Sequence, residues 1–250
     1  MMQVYVVDAL NELSDEKFAD YLKLVDDERK DRIMRFHFMA DKKRSLVGTL
    51  LTGYVIYKAF GVSPGDIIFE KNKYGKPFVK GRSDMHFNIS HSGNYVVAAV
   101  GENSVGIDVQ EHKSGNLDIA DRFFSSEEKA ALDAEGSTFE EQGGASHNLI
   151  KDSSPDERQE LKRRMFYDMW SLKEAYIKCI GMGLSKPLDE FGILEKNGEY
   201  KLYDDGVEND KYYFKKYTLS DDYSLCACAM DDSFPDEFVQ VGIDELALNL

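Results

Sequence analysis

Residues 170–186 read WSLKEAYIKCIGMGLSK, and the rest of the chain is read outward from them. At about 3.6 residues per helical turn, Met169, Leu172, Tyr176 and Ile180 gather on one side, and Trp170 and Ile177 widen that apolar stripe. Glu174 and Lys178 stand one turn apart at its edge, so a carboxylate and an ammonium project together from the border of a buried face. Two readings stay open on this segment alone: an i,i+4 surface pair, or two members of a polar site. After Ile180 the helix should stop, because Gly181 and Gly183 favour a left-handed exit and Pro187 cannot continue it.

A second block has the same plan. SLVGTLLTGYVIYKAFGVSPGDIIFEKN, from Ser45, resembles SLKEAYIKCIGMGLSKPLDEFGILEKN, from Ser171. Each is a helix, a Gly exit, a short Ser/Pro linker and a strand ending in EKN. SGNYVVAAV near Ser92 is echoed by SDDYSLCACAM near Ser220, with a nearly constant offset of about 125 to 128 positions. This predicts an α+β chain of two similar α/β halves in a pseudo-two-fold arrangement, with the active site in the cleft between them. The halves are taken as residues 1–103 and 104–250. The helix carrying Arg44 and Ser45 then corresponds to the helix carrying Lys173 and Glu174, and both face one cleft.

At 250 residues, with 42% hydrophobic and 31% charged, the chain reads as soluble and globular. A formal charge of −15 argues against broad binding to nucleic acid or to a membrane surface, so any anionic ligand needs a local basic cluster. The opening MMQVYVVDAL lacks a signal-peptide pattern, and the longest apolar run, Tyr95–Val100, is too short to span a bilayer. Cys179, Cys226 and Cys228 show no zinc-finger spacing; Cys226 and Cys228 alternate on a strand and should pack as small apolar groups. A reducing cytoplasm is the expected setting.

Between Asp27 and Arg44 the charge inverts, with seven basic and four acidic residues. That segment is either a solvated helix face or an anion site built from Arg forks and Lys point charges. In YGKP, Gly75 and Pro77 make a rigid turn that presents Lys76. His91 ends a strand where its side chain can leave the core, and Ser90 offers a hydroxyl from the opposite parity. In VGIDVQ, Ile107 and Val109 face one way and Asp108 and Gln110 the other: a solvent-facing stripe, or two oxygen donors for a hard divalent cation. Ser125 and Glu128 stand in capping-box spacing at a helix start. Residues 134–160 are polar and read as a loop insertion, with helix resuming at about Glu160.

GIDVQ, FNISHSG and WSLKEAYIKCIGMGLS, with YGKP and FFSSEE in the right order, resemble the motif set of the Sfp-type 4′-phosphopantetheinyl transferases, over about Arg29 to Ser185. The resemblance implies transfer of 4′-phosphopantetheine from coenzyme A to a serine of an apo acyl or peptidyl carrier protein, with Mg²⁺, releasing adenosine 3′,5′-bisphosphate. It also implies two α/β halves with the site between them, and a monomer. Carried over by motif, Asp108 and Glu174 bind Mg²⁺ and Lys178 contacts the phosphates. Ser90 and His91 touch the coenzyme A phosphates, Lys76, Arg44 and Ser45 lie near the nucleotide, and Arg29 and Arg32 stand where the family has basic residues. Glu174 accepts the serine proton and Glu128 belongs to a motif near that site. One departure is Gln110, where the family commonly has Glu: its uncharged oxygen can still ligate Mg²⁺, so metal affinity should fall or a water should take the position. The rival expectation is a homologue that binds coenzyme A or a carrier protein without turnover.

Overall fold

The computed structural model describes residues 1–113, 119–136 and 154–248. Strand β1 (Gln3–Asp8) leads into α1 (Ala9–Glu12) and α2 (Asp15–Tyr21), the latter capped by the Ser14 hydroxyl, which accepts from the Lys17 N–H. Helix α3 (Asp27–Met34) follows its own cap, Asp26. Helix α4 (Met39–Phe60) starts earlier than the Ser45 block, so Lys42, Lys43 and Arg44 ride on its first turns. It exits at Gly61 with φ 67°, a left-handed cap that suits a residue without a Cβ.

Two hairpins come next, β2 (Phe69–Lys71) with β3 (Pro77–Val79), and β4 (His86–Ser92) with β5 (Tyr95–Gly101). After β6 (Val105–Glu111), α5 (Ala120–Phe123) and α6 (Ser126–Gly136), the plan repeats. Helix α7 (Pro155–Ile180) exits at Gly181 with φ 72°. It leads to β7 (Phe191–Lys196), β8 (Glu199–Asp204) and β9 (Val207–Asn209), then to the hairpin of β10 (Tyr213–Ser220) and β11 (Tyr223–Ala229). A short β12 (Val239–Gln240) and α8 (Ile243–Leu248) close the described chain.

The duplication is thus one of elements: long helix, left-handed glycine, a hairpin that β9 extends to three strands in the second half, then a second hairpin. It is not residue for residue. Gly61 and Gly181 are 120 positions apart, outside the offset of the Ser45 and Ser171 blocks, because the two helices differ in length on either side of the aligned serines.

Four layers result. One sheet, in the order β12-β1-β5-β4, presents Tyr5, Val7, Val96, Ala98 and Val100 to α4. Its other face offers Met2, Val4, Val6, Val97 and Ala99 to a second sheet, β10-β11-β6, which answers with Val105, Ile107, Val109, Leu225 and Ala227. The far face of that sheet, including Cys226 and Cys228, packs on Leu172, Ala175, Tyr176 and Cys179 of α7. Alternation along β6 therefore sends Ile107 and Val109 between the sheets and leaves Asp108 and Gln110 on the helix side.

The two sheets meet along β4 and β6 through side chains in place of a backbone ladder. Asn88 Oδ1 accepts from Ile107 N at 2.8 Å, Ser90 Oγ from Val109 N at 3.4 Å and Ser92 Oγ from Glu111 N at 3.0 Å. Three alternate residues of one edge strand thereby satisfy the N–H groups of the other.

Two expectations need correction. The division at 104–250 fails for the end of the chain: β12 pairs in parallel with β1, Val241, Ile243 and Leu246 join the core under α4, and Tyr54 donates to Glu245 at 2.5 Å. The expected loop over 134–160 is helical at both margins. Helix α7 begins at Pro155, with Ser154 and Glu157 forming a reciprocal capping box; residues 137–153 of that expectation lie outside the described residues.

Gly106 sits where β6 touches α7. A Cβ there would lie 2.0 Å from Ala175 O and 2.5 Å from Cys179 N, both backbone atoms that cannot step aside alone. Gly106→Ala is expected to cost about 3 kcal/mol or more in denaturant unfolding. A loss below about 1 kcal/mol would mean that the helix and strand slide apart easily.

Candidate active site

The site grows out of β6 and α7. Asp108, 1% exposed, holds its carboxylate against α7, where Lys178 forms an ion pair with it. Ser90 reaches in from β4: its hydroxyl donates to Asp108 Oδ1 at 2.8 Å and accepts from Lys178 Nζ at 3.0 Å. Gln110, two residues on along the same face, donates through Nε2 to Asp108 Oδ2 at 2.8 Å. Ser171, buried in α7, donates to the main-chain carbonyl of Asp108 at 3.0 Å. Strand and helix are therefore fixed to each other at the residues that carry charge.

Glu174, one turn before Lys178, faces the same group. Burial pushes its carboxyl above the usual value; the charge of Lys178 opposes the shift and that of Asp108 adds to it. His91, at the end of β4, is pushed down by loss of solvation and by the cations Arg44 and Lys178, which favours the neutral imidazole near pH 7. Arg44 projects from α4, donating to Gly93 O at 2.7 Å and pairing with Asp41 at 2.5 Å. Ser45 follows it on α4, half-buried. Elements of both halves thus meet around one cluster: Ser90, His91 and Arg44 from the first, Asp108, Gln110, Glu174 and Lys178 from the second.

Other expected members stand elsewhere. Lys76 turns its ammonium onto the carbonyls of Val105 and Cys179, at 3.0 and 3.1 Å. Arg29 pairs with Asp26 at 2.7 Å and lies 5.5 Å over the ring of Phe69, and Arg32 is exposed in the last turn of α3. Glu128 is a correction. It is fully buried in an ion pair with Lys173 and takes N–H bonds from Ser125 at 2.9 Å and Ile193 at 2.9 Å, so it is an internal tie among α6, α7 and β7 and no part of the cluster around Asp108. Its motif signal was real but structural: the Ser125 hydroxyl accepts from Glu128 N at 3.2 Å, completing the capping box.

Among the described residues no group of three His, Cys, Asp or Glu is gathered for a metal ion. The oxygen donors at hand are the carboxylates of Asp108 and Glu174, with the Gln110 amide, whose nitrogen now faces Asp108.

Residues 12–103 match the family described as 4′-phosphopantetheinyl transferase, N-terminal, and residues 104–228 match the 4′-phosphopantetheinyl transferase superfamily. The chain is 32% identical over 246 residues to the 4′-phosphopantetheinyl transferase Sfp of Bacillus subtilis strain 168, covering 98% of this chain and all of that protein. It belongs to the Sfp-type 4′-phosphopantetheinyl transferases. A further 4′-phosphopantetheinyl transferase of Bacillus subtilis is 33% identical over 245 residues, with 98% and 100% of the two chains covered. The human L-aminoadipate-semialdehyde dehydrogenase-phosphopantetheinyl transferase is 29% identical over 224 residues, covering 84% of this chain and 68% of that one. The solved holo-[acyl-carrier-protein] synthase of Thermotoga maritima aligns with 53% of this chain and 66% of its own, at 20% identity and a TM-score of 0.35, a likeness too slight to argue from.

Within this transferase, the features that sequence reading missed are Lys173, Ser171, and the Asn88 and Ser92 stitches. Lys173 had a signal: on a helical projection it falls inside the apolar arc, between Ile180 and Ile177. A charge placed there has to find an internal partner.

Proposed function

We propose that this chain transfers the 4′-phosphopantetheine group of coenzyme A to a serine of an apo acyl or peptidyl carrier protein, releasing adenosine 3′,5′-bisphosphate, with Mg²⁺. The observation that carries this reading is the meeting of Lys178, Asp108 and Ser90 across the seam between the two sheets, with Glu174, His91 and Arg44 around them. Phosphoryl transfer asks a protein mainly for positioning and for neutralised charge, and cations flanking a carboxylate pair supply both.

In this mechanism the carrier serine oxygen bonds to the β-phosphorus of coenzyme A while the bond from that phosphorus to the bridging oxygen breaks. The serine proton passes to Glu174, whose burial keeps it basic enough for the task. Lys178 turns from Asp108 toward the diphosphate and faces the charge that grows on the leaving oxygen. Arg44 and neutral His91 donate to phosphate oxygens, and Ser90 holds Asp108 in place. Asp108 and Glu174, with Gln110 after half a turn of its amide, are hard oxygen donors of the kind that hold Mg²⁺ together with phosphate oxygens and water. When bound, the ion neutralises and orients the diphosphate. One chain supplies every group, in keeping with a monomer, and a cytoplasmic setting is proposed because Cys179, Cys226 and Cys228 are free thiols, as a reducing compartment keeps them. No described helix is long and apolar enough to cross a membrane.

The deciding experiment incubates the protein with coenzyme A, Mg²⁺ and a panel of apo carriers and weighs the carriers. Gain of one phosphopantetheine on a carrier serine, abolished by chelation, is the expected result. Coenzyme A binding without any gain of mass across the panel would leave the rival, a binding homologue without turnover.

Gln110 gives a second test. Gln110→Glu replaces an amide that donates to Asp108 with a carboxylate 2.8 Å away, so like charges meet when no metal is present. The variant is expected to melt lower without Mg²⁺, to gain more from added Mg²⁺, and to reach half activity at a lower Mg²⁺ concentration. An unchanged metal requirement would place Gln110 away from the ion.

A further inference from the structure

Lys76 makes a contact that its expected place near the nucleotide does not explain. It sits in the tight turn between β2 and β3, where Asn72 Oδ1 accepts from Tyr74 N at 2.9 Å and Lys76 N at 3.0 Å, and Gly75 takes φ 93°. This Asx-type turn aims the lysine stem across the seam between the halves. Its ammonium then donates to two carbonyls of the second half: Val105 O at 3.0 Å, three residues before Asp108 on β6, and Cys179 O at 3.1 Å, directly after Lys178 on α7.

The carbonyls at the end of α7 have no partners within the helix and carry its negative dipole end, which suits a cation there. The same turn supplies another bond, Asn72 Nδ2 to Gly181 O at 2.8 Å, and Ser104 Oγ is a second donor to Cys179 O at 2.6 Å. Gly181 leaves room for the stem: a Cβ there would come within 2.9 Å of Lys76 Cδ. Loss of solvation pulls the Lys76 ammonium below its ordinary value, as expected for a group spent on the interior.

We propose that Lys76, aimed by Asn72, is a positioning residue: it locks the last turn of α7 to the start of β6 and so fixes where Lys178 and Asp108 meet. This rests on the transferase reading above. The hairpin of the first half thereby sets the geometry of a charge cluster built mostly by the second. A phosphate-binding lysine would act on affinity for coenzyme A; a clasp acts on the chemical step, since small displacements of catalytic groups cost rate steeply.

The test compares Lys76→Met, which keeps the stem without the charge, with Lys76→Arg and Asn72→Ala in the full chain. Lys76→Met is expected to lower kcat about tenfold to a hundredfold at saturating coenzyme A and carrier, while calorimetric Kd for coenzyme A stays within about twofold. Asn72→Ala should shift kcat the same way by less, and Lys76→Arg should recover most of the rate. Amide exchange in the last turn of α7 should quicken in Lys76→Met and Asn72→Ala. A Kd raised tenfold with kcat intact, or a kcat unchanged within twofold, overturns the proposal. Should Lys76→Met not fold, Asn72→Ala and Lys76→Arg decide by the same split. A wild-type chain that transfers nothing removes the transferase reading, and the clasp then stands or falls on the amide exchange alone.

Discussion

Lys173→Met should cost about 3–5 kcal/mol of folding free energy, although Lys173 touches none of the residues proposed to handle substrate. Lys173 and Glu128 are both wholly inaccessible, and their ion pair is closed on every side. The ammonium also donates to Phe191 O at 2.5 Å and lies 4.3 Å over the Phe191 ring, while Glu128 accepts from Ser125 N and Ile193 N. Burial pulls the Lys173 ammonium below its ordinary value and the charge of Glu128 resists that, so each ion is tolerated because of the other. Taking the lysine charge away strands a carboxylate inside the protein, which is far more costly than never having had the pair.

A domain of this kind has about 5–15 kcal/mol to lose, so the single variant should be unfolded in part or whole at modest denaturant. The double variant Lys173→Met with Glu128→Gln is expected to recover a good part of the loss, because no uncompensated charge remains and the glutamine oxygen can still accept one N–H. Urea unfolding of both single variants and the double measures this directly. If Lys173→Met cost less than about 1 kcal/mol, the pair would have to be reached by water.

The difference between Lys173 and Lys178 marks the limit of what the sequence conveyed. Helix exits were plain from local chemistry: Gly61 and Gly181 both adopt the left-handed exit that their position after an apolar stripe suggested. Alternation on β6 was equally plain, since Ile107 and Val109 enter the apolar layer and Asp108 does not. What the pattern left open was which polar residue finds which partner. Glu128 carries a motif spacing that suits a cap and a motif context that suits a site, and only its partner Lys173, 45 positions along the sequence, decides for the cap and the ion pair. Pairing between edge strands is likewise tertiary: nothing local tells Asn88, Ser90 and Ser92 that β6 will lie beside them. The return of β12 and α8 to the first half is a matter of two short elements, Val239–Gln240 and Ile243–Leu248, whose apolar residues are too few to announce a destination.

Glu174→Gln is the substitution expected to cost the most rate, about a hundredfold or more in kcat, as loss of a general base typically does. Its effect has two possible sources in the proposed mechanism, the proton it accepts and the metal oxygen it offers, and they part under titration with Mg²⁺. A glutamine keeps an oxygen for the ion but weakens the site, so a pure ligand role predicts that high Mg²⁺ restores most of the rate. A base role predicts a deficit that persists when Mg²⁺ saturates, because an amide cannot take the serine proton. The surroundings favour persistence. Glu174 lies on the same face of α7 as Lys178, and burial, aided by the Asp108 charge, raises its proton affinity against the pull of that lysine. The oxygens of Asp108, by contrast, are already taken by Lys178, Ser90 and Gln110. Single-turnover transfer at saturating coenzyme A and carrier, over a range of Mg²⁺ concentrations, reads the plateau. Recovery of Glu174→Gln to within threefold of wild type would move the proton acceptor to another group and leave Glu174 as a metal ligand alone.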